Sequence, residues 1–173
     1  MSDIEYEITY LAKELPKGLE ELESKILQDI YFPVSVEHPN LRIRRKGDKF
    51  ELTKKSKVEE GDASMHNEMT VDLTEEEFNA LAAGNGKGLK KKRYFYDYQG
   101  RTAEIDVFED NLSGLVLVDF EFSSQEGLKA FEMPDFCLVD VTQEDFIAGG
   151  MLAGKSLLDI QDKLREFGYK IIA

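Results

Sequence analysis

Acidic and basic side chains recur two residues apart along this chain: Glu5 and Glu7, Arg42 and Arg44, Lys91 and Arg93, Glu104 and Asp106, Asp119 and Glu121. On an extended strand, residues i and i+2 leave the same face, so each doublet sets two like charges side by side. Lys55 and Glu68 add single charges on the same parity. Like charges so placed repel, and that cost is tolerated where something of opposite sign sits between them. Arg42, Arg44, Lys91 and Arg93 would hold a polyanion, the guanidinium forks of the three arginines matching phosphate oxygens bidentately. Glu5, Glu7, Asp119 and Glu121 offer the hard oxygen donors that Mg²⁺ or Mn²⁺ takes. If the strands close into a barrel, both sets face one lumen and the implied ligand is a metal-bound oligophosphate. That is the setting of phosphoryl transfer, where positioning and charge neutralisation supply most of the catalysis. The competing reading is a meander whose charged face meets only water. Such a face would mix Ser, Thr, Gln and both signs of charge, whereas here the signs are sorted strand by strand.

The elements that must position these groups are mostly strands, because apolar residues alternate with polar ones at period two. Tyr6, Ile8 and Tyr10 share one face of a strand over 4–11. Leu19, Leu22, Ile26 and Ile30 recur at three and four, which predicts an amphipathic helix over 18–30. Strands over 41–46 and 49–55 turn at Gly47-Asp48, and 65–73 alternates again. Thr74 with Glu77 forms a capping-box start to a short helix. Strands over 89–98, 102–109 and 114–123 follow, then a short helix over 124–131 ahead of Pro134, a strand over 138–142, and helical segments over 143–148 and 156–167. The predicted apolar outer positions are Tyr94, Tyr96, Ile105, Val107, Val116, Val118, Phe120 and Phe122.

Length and composition bound the function. With 173 residues the chain is about one domain. Its net charge of −13 argues against a general nucleic-acid or anionic-membrane binder. Hydrophobic residues at 42% are enough to fill a core and too many for a disordered acidic chain. The single cysteine, Cys137, excludes an intrachain disulfide, and the apolar run at 115–118 is far shorter than a membrane span. With no basic n-region or apolar h-region at the start, the expectation is a cytoplasmic protein, as a monomer or a homodimer.

The segments Glu5-Tyr-Glu7-Ile-Thr9, Leu41-Arg-Ile-Arg44, Leu52-Thr-Lys-Lys55, Lys91-Lys-Arg93-Tyr94, Glu104-Ile-Asp106-Val-Phe108, Leu115-Val-Leu-Val-Asp119-Phe-Glu121-Phe122 and Val141-Thr142 occur in the order and spacing of the CYTH domain. The chain resembles this family of triphosphate tunnel metalloenzymes over roughly 4–152, with 153–173 as a C-terminal helical extension of a single 1–173 domain. The resemblance implies a mainly β fold: a closed eight-stranded antiparallel β-barrel with flanking helices, its tunnel binding a triphosphate. It further implies Glu5, Glu7 and Glu121 as metal ligands for Mg²⁺ or Mn²⁺, with Asp119, Asp106 and Glu104 nearby. Arg42, Arg44, Lys55, Lys91 and Arg93 would bind the phosphates. The implied activity is metal-dependent hydrolysis of inorganic tripolyphosphate or an organic triphosphate. Cyclisation of ATP by the same tunnel and polyphosphate binding without turnover are the alternatives. Three positions depart from the family pattern. Thr9 stands where the signature Glu-x-Glu-x-Lys has its lysine, with Lys13 on the same parity as a substitute if the strand continues. His66-Asn-Glu68-Met-Thr70 retains only the Glu of Arg-x-Glu-x-Glu, and Asp119 replaces a Glu.

Other reactive residues point elsewhere. His38 and His66 lack partners at zinc spacing and read as structural or exposed. Cys137, in Phe136-Cys-Leu-Val139, reads as a buried small residue. Gly84, Gly86 and Gly88 read as a flexible turn, because the Gly-Lys-Ser/Thr ending of a phosphate loop is missing.

Overall fold

The computed structural model describes residues 3–59 and 61–172. Its strands are β1 (Asp3–Ala12), β2 (Ser24–Phe32), β3 (Leu41–Lys46), β4 (Lys49–Lys57), β5 (Met65–Leu73), β6 (Lys87–Tyr98), β7 (Arg101–Phe108), β8 (Val116–Phe122) and β9 (Cys137–Asp140). The helices are α1 (Glu75–Ala82), α2 (Gln125–Lys129), α3 (Gly149–Leu152) and α4 (Leu157–Glu166). All pairings are antiparallel, in the order β5-β4-β3-β2-β6-β7-β8-β1. β1 closes the ring: its first half pairs β5 from Asp3 to Tyr6 and its second half pairs β8 from Tyr6 to Leu11. The eight strands thus form a closed barrel, and β9 extends the sheet beside the end of β1.

The inward face is charged along most of the tunnel, so the hydrophobic packing falls on the barrel's outside and at one end of the lumen, where Phe108 and Leu117 also face inward. One cluster packs Ile8, Tyr10, Ile105, Val118, Phe120 and Phe122 beneath Phe131, Phe136 and Leu128. Phe120 is fully buried, and truncating it to Ala would cost roughly 3–5 kcal/mol through lost burial and the cavity left behind. A second cluster joins Leu11, Leu115 and Val141 to Ile160, Leu164 and Tyr169. It seats α4 and the segment after it against the barrel, where the Tyr169 hydroxyl donates to the Gly114 carbonyl and accepts from the Val116 N–H. Among the described residues no helix is long and apolar enough to cross a membrane.

The helix expected over 18–30 is not there. Only Leu19–Glu21 makes a single 3₁₀ turn, and Ser24–Phe32 is strand β2, between β3 and β6. Ile26 and Ile30 are four apart, a spacing that satisfies a helix and an even-numbered strand face alike. Pairing on both edges decides for the strand, since eight backbone registers with β6 and six with β3 outweigh a weak helical preference. α1 does begin at Thr74 with the capping box, its side chain accepting from Glu77 N–H. The helical segment expected over 143–148 is a 3₁₀ turn at Asp145–Ile147, followed by α3.

Candidate active site

The lumen is a tunnel of about 550 Å³. Glu5, Glu7, Arg42, Arg44, Lys55, Lys91, Arg93, Glu104, Asp119 and Glu121 all line it, with Glu68 on β5, so the alternation read from sequence brings the two charge sets into one space. Cations occupy β3 and β6, and carboxylates occupy β1, β7 and β8 on the facing arc. Thr9 lines the tunnel as well, which fixes the parity of β1.

Most of the cations are held by acids. Arg44 donates from Nε and Nη2 to the two Asp29 oxygens, each at 2.6 Å, with both groups buried. Burial alone would raise the Asp29 carboxyl, but Arg44 beside it brings it down to about 2. Arg93 grips Asp106 in the same two-pronged way at 2.7 Å and 2.7 Å, and also donates to Glu104. Lys91 donates to Asp106 from the other side. Asp106 is fully buried and both its oxygens are taken, so the expectation that it coordinates a metal does not fit: it positions Lys91 and Arg93. Arg42 differs from the rest. It makes no ion pair among the described residues, and its Nε is buried without a hydrogen-bond partner. A buried guanidinium N–H left unpaired is costly and is tolerated where an acceptor arrives.

The acidic wall is short of positive charge. Lys55 Nζ stands 2.8 Å from Glu5, 3.1 Å from Glu7 and 3.6 Å from Glu68. Burial alone would raise Glu7, but Lys55, with His66 and Arg93, brings it down to about 2. Asp119 has only Arg93, at 3.6 Å and already bonded to Asp106 and Glu104: burial, then the charges of Glu7 and Asp106, push it up to about 8 despite Arg93. Burial and the neighbouring Glu104, Glu5 and Glu7 raise Glu121 to about 7. The Thr9 hydroxyl donates to Asp119 at 2.7 Å, with Glu7 at 3.3 Å, so a neutral donor stands where a family lysine would bring charge. Lys13 does not replace it. β1 ends at Ala12, and Lys13 is exposed, its backbone N–H donating to the Phe136 carbonyl.

Several groups in or beneath the tunnel wall escaped the sequence reading. Asp29 and Tyr31 were hidden by the helical spacing of their segment, although Leu27, Asp29 and Tyr31 form the inward parity of β2. Thr53, Glu51 and Lys46 also line the tunnel. His38 and His66, expected to be bystanders, reach the tunnel wall, and His66 Nδ1 is buried without a partner. Burial and Lys55 hold His66 below its ordinary pKa. At one end the Ala148–Gly150 backbone packs so closely on Tyr31 that a methyl group at Gly149 would lie 2.0 Å from its hydroxyl. Cys137 is buried, and burial pushes its thiol up to about 12, so it is no nucleophile.

A closed antiparallel barrel with such a lumen is the triphosphate tunnel architecture. Residues 3–130 match the CYTH domain, and the chain belongs to that family. An inorganic triphosphatase of Nitrosomonas europaea is 32% identical over 141 residues, 81% of this chain and 90% of that protein. A solved structure of an inorganic triphosphatase covers 87% of this chain and 95% of its own, with TM-score 0.62 and 27% identity. A conserved protein of Pyrococcus furiosus shares the fold at TM-score 0.50 and 20% identity, covering 96% of this chain and 91% of its own.

Proposed function

We propose that this protein hydrolyses a short triphosphate, inorganic tripolyphosphate first among them, together with Mg²⁺ or Mn²⁺ inside the barrel. The observation that carries the reading is the meeting of a cationic wall and a carboxylate wall in one enclosed lumen. The relative named an inorganic triphosphatase supports it.

The donor chemistry fits a divalent cation. Oxygen ligands crowd one arc, and burial together with the neighbouring carboxylates raises Asp119 and Glu121 above the usual carboxylate range. Among the described residues no three carboxylate or imidazole groups converge closely enough to form a ready cage, and Lys55 stands between Glu5 and Glu7 instead. Glu5, Glu7 and Glu121 would hold the ion, with Asp119 and Glu104 beside them. Bound there, it would neutralise phosphate oxygens and act as a Lewis acid. Arg42, Arg44, Lys55, Lys91 and Arg93 would grip the phosphates. Asp29 and Asp106 already hold three of those cations in place, so little reorganisation accompanies the build-up of charge on the leaving phosphate. A carboxylate of the acidic wall would orient the attacking water.

A second reading, a polyphosphate-binding module without turnover, is favoured by Thr9, which leaves the tunnel one cation short. The test is a panel of tripolyphosphate, thiamine triphosphate, ATP and GTP with Mg²⁺ or Mn²⁺, following phosphate, pyrophosphate and cyclic AMP. Phosphate release from tripolyphosphate supports the proposal. Cyclic AMP with pyrophosphate would make the protein a cyclase, and binding without product would make it a module.

A further inference from the structure

The cationic row on β3 does not stop at the groups that match a triphosphate. Arg42, Arg44 and Lys46 alternate on the inward face, and Lys46 lines the tunnel beyond Arg44. At about 3.4 Å per residue the row spans roughly 14 Å. Three phosphorus atoms joined by single bridging oxygens cover much less than that.

Lys46 is also held unlike its neighbours. Its ammonium lies 5.5 Å from the centre of the Phe95 ring, and Lys25 from β2 approaches the same ring at 5.8 Å. All three side chains are partly buried. Neither lysine makes an ion pair among the described residues, although the chain carries 35 acidic residues against 22 basic ones. An aromatic face attracts a cation through its quadrupole but carries no net charge, so it orients both ammonium groups without neutralising them. Glu104, in register opposite Phe95, is already engaged by Arg93. Glu104 and Glu51 act on Lys46 only from beyond ion-pair distance, so the two ammonium groups around one ring still repel each other unless an anion joins them.

We propose that Lys25, Lys46 and Phe95 form an additional anion subsite, which takes the fourth phosphate of an inorganic polyphosphate chain longer than three units. The inference rests on the tunnel holding a triphosphate, and it extends that substrate class to tetraphosphate. Phe95 holds the lysines apart, and the terminal phosphate draws them together.

The experiment compares inorganic tripolyphosphate and tetrapolyphosphate by calorimetric binding and by kcat/KM, in the wild-type protein and in the Lys25→Gln/Lys46→Gln pair, with circular dichroism as the check on folding. The wild type should bind tetraphosphate at least about fivefold more tightly than triphosphate, and the double variant should bring that ratio close to one. Phe95→Leu, which keeps an apolar side chain but removes the ring, should lower the ratio partway. Equal affinities in the wild type, or a ratio that survives the double substitution, would overturn the subsite while leaving triphosphate binding intact. Tighter binding of ATP than of tetraphosphate, lost in Phe95→Leu, would overturn it in favour of a ring-stacking site. Failure of the wild type to bind either inorganic chain would remove the triphosphate reading and the subsite with it.

Discussion

Asp29→Asn isolates what holds the cationic wall in place. Asp29 is 1% exposed and gives both oxygens to Arg44, itself 7% exposed, so the substitution keeps shape and removes one charge of a buried pair. The Asp29 carboxyl falls from an ordinary 3.8 to about 2. At about 1.4 kcal/mol per unit, that depression makes the ionised group worth roughly 2–3 kcal/mol of stability near neutrality. The sign follows from the direction of the shift. A carboxyl depressed on folding contributes fully above its unfolded value of 3.8 and loses that contribution as pH falls through about 2. Roughly half should remain near pH 3. Urea denaturation at pH 7 and at pH 3–4 should therefore show the variant less stable by about 2–3 kcal/mol at neutrality, with the gap narrowing in acid. Tripolyphosphate should narrow it too, by supplying a counter-charge to Arg44. A loss below about 0.5 kcal/mol at pH 7, or a gap that does not change with pH, would refute the claim that Asp29 holds Arg44 by charge.

Glu5→Gln and Glu7→Gln should each abolish turnover while the circular-dichroism spectrum stays folded, because each removes a proposed metal ligand from the lumen and nothing from the outer core; wild-type rate at saturating metal would contradict this. Thr9→Lys should raise tripolyphosphatase efficiency about tenfold to a hundredfold, since a charged contact at such a site is worth on the order of 1.5 to 3 kcal/mol. In a binding module the same change should tighten affinity without turnover, and a folded variant with neither gain would remove position 9 from phosphate contact. Thermal stability should rise with tripolyphosphate and Mg²⁺, by about 2.7 kcal/mol at a hundredfold excess over the dissociation constant; a melting temperature indifferent to both would return the charged face to mere solvation.

The barrel was legible because its strands alternate strictly: the charges expected to share a face line one lumen, except Asp106, which is enclosed behind Arg93 and Lys91, and the outward Tyr94, Ile105, Val118 and Phe120 are buried as expected. β2 was not legible, because Ile26 and Ile30 fit two periods and only the strands on either side choose between them. That one segment concealed Asp29, the buried partner of Arg44. The divided roles of the acids were also invisible. Asp106 and Asp119 both follow the inward parity, yet Asp106 is enclosed by Arg93 and Lys91 while Asp119 keeps only a Thr9 hydroxyl and a distant Arg93. Side-chain reach across strands decides this, and spacing along the chain does not encode it. The same holds for Lys13, whose parity was right but whose strand ends one residue too soon.

The central claim is that the inward cations of the barrel bind the phosphates of the substrate, and Arg42 tests it most directly because its Nε is buried with no partner of its own. Calorimetric titration of tripolyphosphate into wild type and Arg42→Gln, in the presence of Mg²⁺, should show affinity falling at least about tenfold in the variant, as expected for a charged hydrogen-bonded contact worth roughly 1.5–3 kcal/mol. The variant should keep its fold, since no ion pair among the described residues is broken. Unchanged affinity in a folded Arg42→Gln protein would contradict the claim.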